Sequence, residues 1–440
     1  MADLRELAHL ACKQAVRMGA ECADVTLNRD RSIGVKVEKN GIHDAKEARN
    51  TGVSVRAIVK GATAFATSSR IAPEDVREAA GRAAAAAKLA QPDPDFVSLP
   101  EPSAYEAVPG LYDERIAQMS VGDLIRTLGD GIDEAREVCP EVVVEADAGL
   151  SVHEWVLVNS LGVEAHIRRT GIGSSYFCVV RRGDDVGSFY DYDCAHMLDD
   201  YHPEGLGAKV CKDALGFLGA RSVRSAVMPV VAGPLVAISL FGSIAGAAGA
   251  EHIQRKRSYL VGKRGQRIGP EFLTIRDDGF IPRGMGSGPF DGEGAARKRV
   301  TIVENGVLVN HLHGSYTAHK AKEENTGHGN RNRGVSPTNV IPSLGGVLAA
   351  EIIRDTKEGI YLNMGGLWPS LASGEISSTV DFGFKIENGE LAYPLKNTMI
   401  GISIFDLLNN LDAISSDYRE EPGQIMPTIR VRSVKVAGAE

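Results

Sequence analysis

Cysteine disappears from this chain after Cys211, and the six that occur (Cys12, Cys22, Cys139, Cys178, Cys194 and Cys211) never fall into a CxxC spacing. That spacing argues against a disulfide framework and against a cysteine-rich zinc module, and a reduced, cytoplasmic chain is the expectation. Aromatic residues make up only 6% of the chain. Positive charge is not in excess: 49 Lys and Arg stand against 57 Asp and Glu, for a net charge of −8. A nucleic-acid-coating surface wants the opposite balance, which argues against nucleic acid as the partner class. The start, MADLRELAHLACKQAV, has neither the basic n-region nor the apolar h-region of a secretory signal.

Charge is missing altogether from Ser225 to Ala250, a stretch that a hydropathy reading would flag as a membrane span. Three features argue against one. Pro229 and Pro234 interrupt its first third, and Gly, Ala and Ser rather than Leu fill the remainder. The unbroken part from Leu235 to Ala250 would rise only ~24 Å as a helix, short of a ~30 Å hydrocarbon core. The expectation is a helix buried inside a protein, with no membrane contact.

What is abundant is glycine, 49 residues in all, and the pattern around it is that of turn-rich sheet. Residues 3–19 put Leu4, Leu7, Ala8, Ala11 and Ala15 on one helical face. An Asn40-Gly41 hairpin signal follows, then alternating strands through Gly61 and Thr67 and a helix opened by Pro73. A proline-rich stretch (Pro92, Pro94, Pro100, Pro102, Pro109) reads as a linker. The pattern then recurs: a helix capped by Ser120, and short strands at 142–146, 154–158, 163–168, 174–181 and 187–192, punctuated by Gly162, Gly171 and Gly183. The expected class is α+β. Helix/β-meander units occupy 1–92 and 118–220, possible duplicates joined by a linker at 93–117. A mostly antiparallel β domain with a buried helix occupies 225–440.

Three groups of residues carry candidate chemistry. His311 and His313 lie two apart in an expected strand, on one face, so two imidazoles could share a metal, although spacing supplies no third ligand. His196, Asp199, Asp200 and His202 are ligand types at a loop-to-helix junction, where the same residues also serve as caps. The run Gly284-Met-Gly286-Ser-Gly288-Pro-Phe290-Asp291-Gly-Glu293-Gly294 is glycine-dense, but a strand follows it and Pro289 removes a donor. A tight loop supporting a site fits it better than a phosphate cradle. A basic cluster from Arg255 to Arg267 leaves phosphate binding open, against the plainer reading of a solvated loop.

Taken together, Arg255-Lys256 with Ser258, the 284–294 run, Glu304-Asn-Gly-Val-Leu308, Thr326-Gly-His328, Glu387-Asn-Gly-Glu-Leu-Ala-Tyr-Pro-Leu395 and Ser416-Asp417 make the second half resemble the TldD/PmbA family. In the first half Gly52-Val-Ser-Val-Arg56, Gly61, Phe65-Ala66 and Leu218-Gly-Ala220 fit as well. In that family, TldD-type members carry His-Glu-x-x-x-His on the helix opening the C-terminal domain and a Cys near the C-terminus, which together bind a catalytic metal, zinc. PmbA/TldE-type members lack both and pair with a TldD subunit. Aligned on Arg255-Lys256, the motif positions fall on Gly242, Ser243 and Ala247, and no Asp, Glu or His occurs between Asp213 and Glu251. Zinc hydrolysis needs ligands that these side chains cannot supply.

The resemblance therefore implies a subunit without a catalytic residue or metal of its own. Its partner would be a TldD-type chain that holds the zinc, with a homodimer in that partner's absence. The substrates would be unfolded or leader-type peptides, bound extended along a strand edge. Gly286, Phe290, Asp291, Glu293 and His328 are expected beside the shared chamber. The rival readings are a metal at His311 and His313 in a standalone hydrolase, and a nucleic-acid or gyrase-linked binder using the Arg255–Arg267 patch.

Overall fold

A computed structural model describes residues 3–439. The first unit holds α1 (Leu4–Arg17), β1 (Cys22–Glu38), β2 (Gly41–Val59), β3 (Ala62–Ser68) and α2 (Pro73–Ala87). The second holds the short α3 (Glu114–Gln118), α4 (Val121–Val138), β4 (Val143–Asn159), β5 (Glu164–Arg182), β6 (Asp185–Ala195) and α5 (Leu206–Gly216). Helix starts follow the local chemistry. Asp3 accepts from the Arg5 N–H at the head of α1, and Asp123 reaches back 2.7 Å to the Ser120 N–H at the head of α4.

The two units share one antiparallel sheet, ordered β3-β2-β1-β4-β5-β6. The equivalent strands β1 and β4 lie side by side at its centre, and each unit continues outward from them. Side chains alternate between the faces of a strand, so Val25, Leu27, Ile33, Val35 and Val37 of β1 all point one way. Val25 and Leu27 pack into the α1/α2 core, where alanines of α2 let the two helices approach closely. Ile33, Val35 and Val37 pack into the α4/α5 core. All five helices, α3 included through Ile116, therefore serve one face, and the opposite face, carrying Asp24 and Thr26, is left for the C-terminal domain.

Several strands are longer than the sequence pattern suggests. The segments expected at 142–146 and 154–158 are one strand, β4, and those at 163–168 and 174–181 are one strand, β5. Gly52 and Gly171 pair inside strands, opposite Asn28 and Ser151, and do not interrupt them. The left-handed residues of the first hairpin are Lys39 and Asn40, so Gly41 already belongs to β2. The expected linker at 93–117 has no regular structure up to Asp113, and its last residues belong to α3; it is pinned, because Leu99 and Leu111 are buried and the Pro100 carbonyl accepts from Asn159.

The C-terminal domain begins with β7 (Ala226–Ala232), α6 (Pro234–Ala247) and α7 (Ala250–Gln254). It continues through β8 (Ile275–Asp277), β9 (Val300–Glu304), β10 (Val307–Leu308), α8 (Ser315–Ala321), β11 (Val340–Pro342) and α9 (Ala349–Asp355). Then come β12 (Glu358–Met364), β13 (Glu375–Thr379), β14 (Phe382–Glu387), β15 (Glu390–Pro394), β16 (Thr398–Ser403), α10 (Ile404–Asn410), β17 (Leu411–Glu421) and β18 (Gln424–Gly438). One sheet runs β10-β9-β8-β11. The other runs β13-β16-β18-β7-β12-β14-β15, with β17 on β18, and only β7 and β12 pair in parallel. Helix α6 lies in the core between them through Val236, Ala237, Leu240, Phe241 and Ile244. No helix among the described residues is long and apolar enough to cross a membrane.

Candidate functional site

Helix α6 holds the three positions expected to match the family's metal motif, and its two sides differ. Gly242 and Ser243 are half-buried, whereas Ala247 is 1% exposed in the domain core. A β-carbon added at Gly242 or Gly246 would meet nothing within 4 Å, so this side of the helix is bare backbone. The Ser243 hydroxyl is spent on the Ser239 carbonyl one turn back, and the Ser239 hydroxyl is bonded to the Val236 carbonyl. Neither a ligand for zinc nor a base for water is present on it. The residues here do not fit a catalytic metal, and no group of three His, Cys, Asp or Glu side chains suited to a metal occurs among the described residues.

The glycine-dense loop takes a different place from the one expected of it. Phe290, Asp291 and Glu293, together with His328, are buried, and none presents its side chain to a peptide. Gly286 is required by close approach: its N–H donates to Asn339 Oδ1, and a β-carbon there would press on the Thr338 carbonyl and sit 2.8 Å from Asn339. Phe290 lies between Tyr105 of the linker and Trp155 of β4, at ring-centroid distances of 5.1 and 5.6 Å. The loop is thereby seated on the helix-free face of the N-terminal sheet. Arg169 of β5, itself part-buried, donates to the Ser287 carbonyl.

Beneath Phe290 the two parts are joined by buried charge. Arg56 of β2 donates to Asp24 of β1 through Nε at 2.8 Å and also through Nη2, to the Arg331 carbonyl at 2.8 Å, and reaches Glu293 at 3.5 Å. Arg331 returns the contact: it donates to Asp24 at 2.6 Å, to Thr26 at 2.7 Å and to the Asp24 and Ser54 carbonyls. Burial pushes the Asp24 carboxyl up, but the guanidiniums of Arg331 and Arg56 outweigh it and hold the group below the usual carboxylate range.

Asp291 goes the other way. Burial, with the Glu293 carboxylate close by, pushes it up, although it accepts from the Glu293, Ala295 and Gly329 N–H groups. Glu293 accepts from the Ser315 N–H at 2.9 Å. His328 closes the shell, 2.8 Å from Asp277 and 2.9 Å from the Thr326 hydroxyl.

This clasp connects to α6 through one short segment. Leu312 donates to the Ala248 carbonyl and accepts from the Ala250 N–H at the end of α6, while the His313 carbonyl accepts from the His328 N–H. His311 and His313 flank Leu312. They lie beyond β10, which ends at Leu308, in irregular backbone rather than in the expected strand. Their ring centroids are 6.4 Å apart, and His311 Nε2 and both His313 nitrogens lack hydrogen-bond partners. Burial lowers His311 to about 4 and also lowers His313. Glu323, 3.5 Å from His313, is held by Arg264. The pair acquires no third ligand, and burial disfavours the charged form of both imidazoles.

The remaining candidates are absorbed locally. His196 Nδ1 faces the Thr170 carbonyl, while Asp199 and Asp200 pair with Arg115 and Arg283. Within the basic cluster, Arg255 pairs with Glu251, Arg264 with Glu323, and Arg267 with the Asn305 carbonyl. The residues that sequence reasoning missed are Asp24, Arg56, Asp277 and Arg331. Their signal, charged residues within otherwise apolar alternating strands, was visible only at Asp24 and Arg56.

The geometry defines a class of protein: an α+β scaffold in which a six-stranded sheet is clasped by buried ion pairs to a C-terminal domain opened by an uncharged helix. Family models agree with it along the chain. The PmbA/TldA metallopeptidase domain 1 matches residues 23–87, the central domain 114–218 and the C-terminal domain 225–438. The chain belongs to the TldD/PmbA family and is of the TldE type. It is 24% identical to metalloprotease PmbA of Escherichia coli O157:H7, over 94% of this chain and 92% of that one. It is 28% identical to a metalloprotease PmbA homolog of Buchnera aphidicola, over 64% of this chain and 63% of that one. The crystal structure of TldE from Thermococcus kodakarensis superposes with a TM-score of 0.90 at 25% identity, over 98% of this chain and all of that one.

Proposed function

We infer that this chain is the non-catalytic subunit of a cytoplasmic metallopeptidase complex, paired with a TldD-type chain that carries His-Glu-x-x-x-His and the zinc. The observation that supports this most is the state of α6. At the positions where such chains hold ligand and base, this helix has Gly242, Ser243 and Ala247, while the scaffold around it stays fully knit. The bare backbone on that side suits close approach of another chain rather than chemistry. In this reading a zinc held by the partner's His-Glu-x-x-x-His would supply the Lewis acid and the activated water. This chain contributes one wall of the chamber and orients an extended, unfolded peptide by main-chain hydrogen bonds. Phe290, Asp291, Glu293 and His328 act by holding the C-terminal domain at a set angle to the N-terminal sheet, not by touching substrate.

Reconstitution tests the reading. The purified chain alone leaves an unfolded peptide intact. Addition of a TldD-type chain produces cleavage that a chelator abolishes. A partner that cleaves equally well with and without this chain overturns the assignment.

A further inference from the structure

Counter-charges are unevenly shared among the arginines held between the N-terminal sheet and the C-terminal domain. Arg56 and Arg331 share Asp24, Arg283 pairs with Asp200, and Arg419 pairs with Asp191 and Glu421. Arg169 of β5 and Arg297, three residues before β9, have no carboxylate at ion-pair distance among the described residues. The Arg169 guanidinium donates only to the Ser287 carbonyl, and that of Arg297 only to the Gly327 carbonyl, at 3.2 Å. Nε of Arg297 is buried and has no partner. The residue opposite Arg169 on β4 is His153, and the acid at that point, Asp30, is held by His153.

The two side chains stand at one place. Arg169 Nη2 presses against Gly288, where a β-carbon would collide with it. Arg297 lies over Gly279, whose β-carbon would come 2.7 Å from Arg297 Cδ. The Gly288 N–H donates to the Gly279 carbonyl at 2.9 Å. Two hydrogen-bonded glycines thus make the room that two long cationic side chains take.

Nothing in the chain offsets the two charges. Burial, with the Arg297 charge added to it, lowers Arg169 to about 10. Burial lowers Arg297 as well, against the pull of Asp291 and Asp277. Both acids are committed elsewhere. Asp277 is bonded to His328 and to the N–H and hydroxyl of Thr338. Asp291 accepts three backbone N–H groups and is itself pushed up by burial beside Glu293.

A buried charge left without a counter-charge is costly, and two of one sign are costlier. The planar fork of arginine matches the oxygens of a phosphate or carboxylate. Arg169 and Arg297 are part-buried rather than sealed, which leaves a way in for a small ion. We propose that Arg169 and Arg297 form a binding site for a small oxyanion, phosphate or carboxylate, at the junction of the N-terminal sheet and the C-terminal domain. The bound anion does for this pair what Asp24 does for Arg56 and Arg331. The proposal does not rest on the peptidase reading, since it uses no residue of α6 and no second chain.

Isothermal titration of the full chain with inorganic phosphate, at an ionic strength held constant with sodium chloride, tests it. One saturable site is expected, with a Kd of about 1 mM or below. Titrations with trialanine and with trialanine amide separate the two sources of the anion. A site that takes phosphate alone serves a free oxyanion, and one that also takes the free acid, but not the amide, serves a peptide end. Arg169→Gln and Arg297→Gln should each weaken binding about tenfold or more. Arg169→Lys and Arg297→Lys should weaken it less, because the charge stays while the fork is lost, and they keep the test open should either Gln variant not fold. Phosphate should also raise the melting temperature of the natural chain more than that of the variants. A natural chain with no saturable site for phosphate or for the free acid overturns the proposal. So does binding that substitutions at both arginines leave unchanged.

Discussion

The C-terminal domain meets its surroundings on two sides built on opposite principles. Toward the N-terminal sheet it presents Asp291, Glu293, Arg331 and Asp277 with His328, nearly all buried and all engaged. On the outer side of α6 it presents Ser239, Gly242, Ser243 and Gly246, with no charge and almost no side chain. A buried charge is tolerated only with its partners in place, so the first side has one permitted arrangement. A bare helix makes no such demand and leaves its neighbour to be chosen. Stored specificity within the chain and openness toward something outside it are thus divided between two sides of one domain.

The sharpest break of that contrast is Arg56→Met. It strands Asp24 and Glu293 without their shared guanidinium and should cost about 3–5 kcal/mol in urea unfolding. A loss below about 1 kcal/mol would show that the clasp is ornamental. Gly286→Ala should come next, at about 1–3 kcal/mol, because the Thr338 backbone cannot yield to a new methyl group.

Asp291 sharpens the comparison through pH. Its carboxyl is held up in the folded chain, so the folded state keeps a proton that the unfolded chain gives up at ordinary carboxylate pH. The stability this proton provides is present in acid and is lost as pH rises from about 4 toward the raised value. His311, lowered to about 4, has the opposite slope: its contribution falls as pH drops below the ordinary histidine range. The two overlap in the natural chain, so differences between variants are the informative quantity. Asp291→Asn should look progressively less harmful, relative to the natural chain, as pH rises from 4 to 7. His311→Gln should gain on the natural chain as pH falls from 6.5 to 4. Chemical denaturation at four or five pH values checks both, and parallel profiles would refute the assignments.

The smallest effect is expected on the bare side. Gly242→Ala and Gly246→Ala meet open space in a helix and should stabilise the isolated chain by about 0.4–1 kcal/mol each. In a reconstituted mixture the same changes should weaken partner-dependent cleavage. Stabilisation without that loss would mean that no chain packs against this side.

Much was legible in the residues themselves. The 3.6-residue periodicity of α1 and α4, the proline opening α2 and the Asn-Gly turns at 305–306 and 388–389 are local signals, and they place helices and hairpins wherever the chain goes. The uncharged stretch ending at Ala250 sufficed to exclude ligands from α6, since composition alone decides what a side chain can coordinate. Strand length was less legible. Gly52 and Gly171 look like breaks, and only pairing with a neighbour carries the ladder through them.

Position could not be read at all. Asp291 and Glu293 read from the sequence as polar residues on a loop beside the chamber, and His311 and His313 as two residues on one strand face without a third ligand. Whether a charged residue faces water or a buried partner depends on what arrives from elsewhere in the chain. Here that was Arg56, 237 residues away from Glu293. The sequence by itself determined the elements and the absence of metal chemistry on α6, because those follow from local pattern and side-chain type. The tertiary structure alone decided that the glycine-rich loop is a buried clasp and that Arg169 and Arg297 meet beside it with only carbonyls as partners, because burial and pairing belong to the assembled chain.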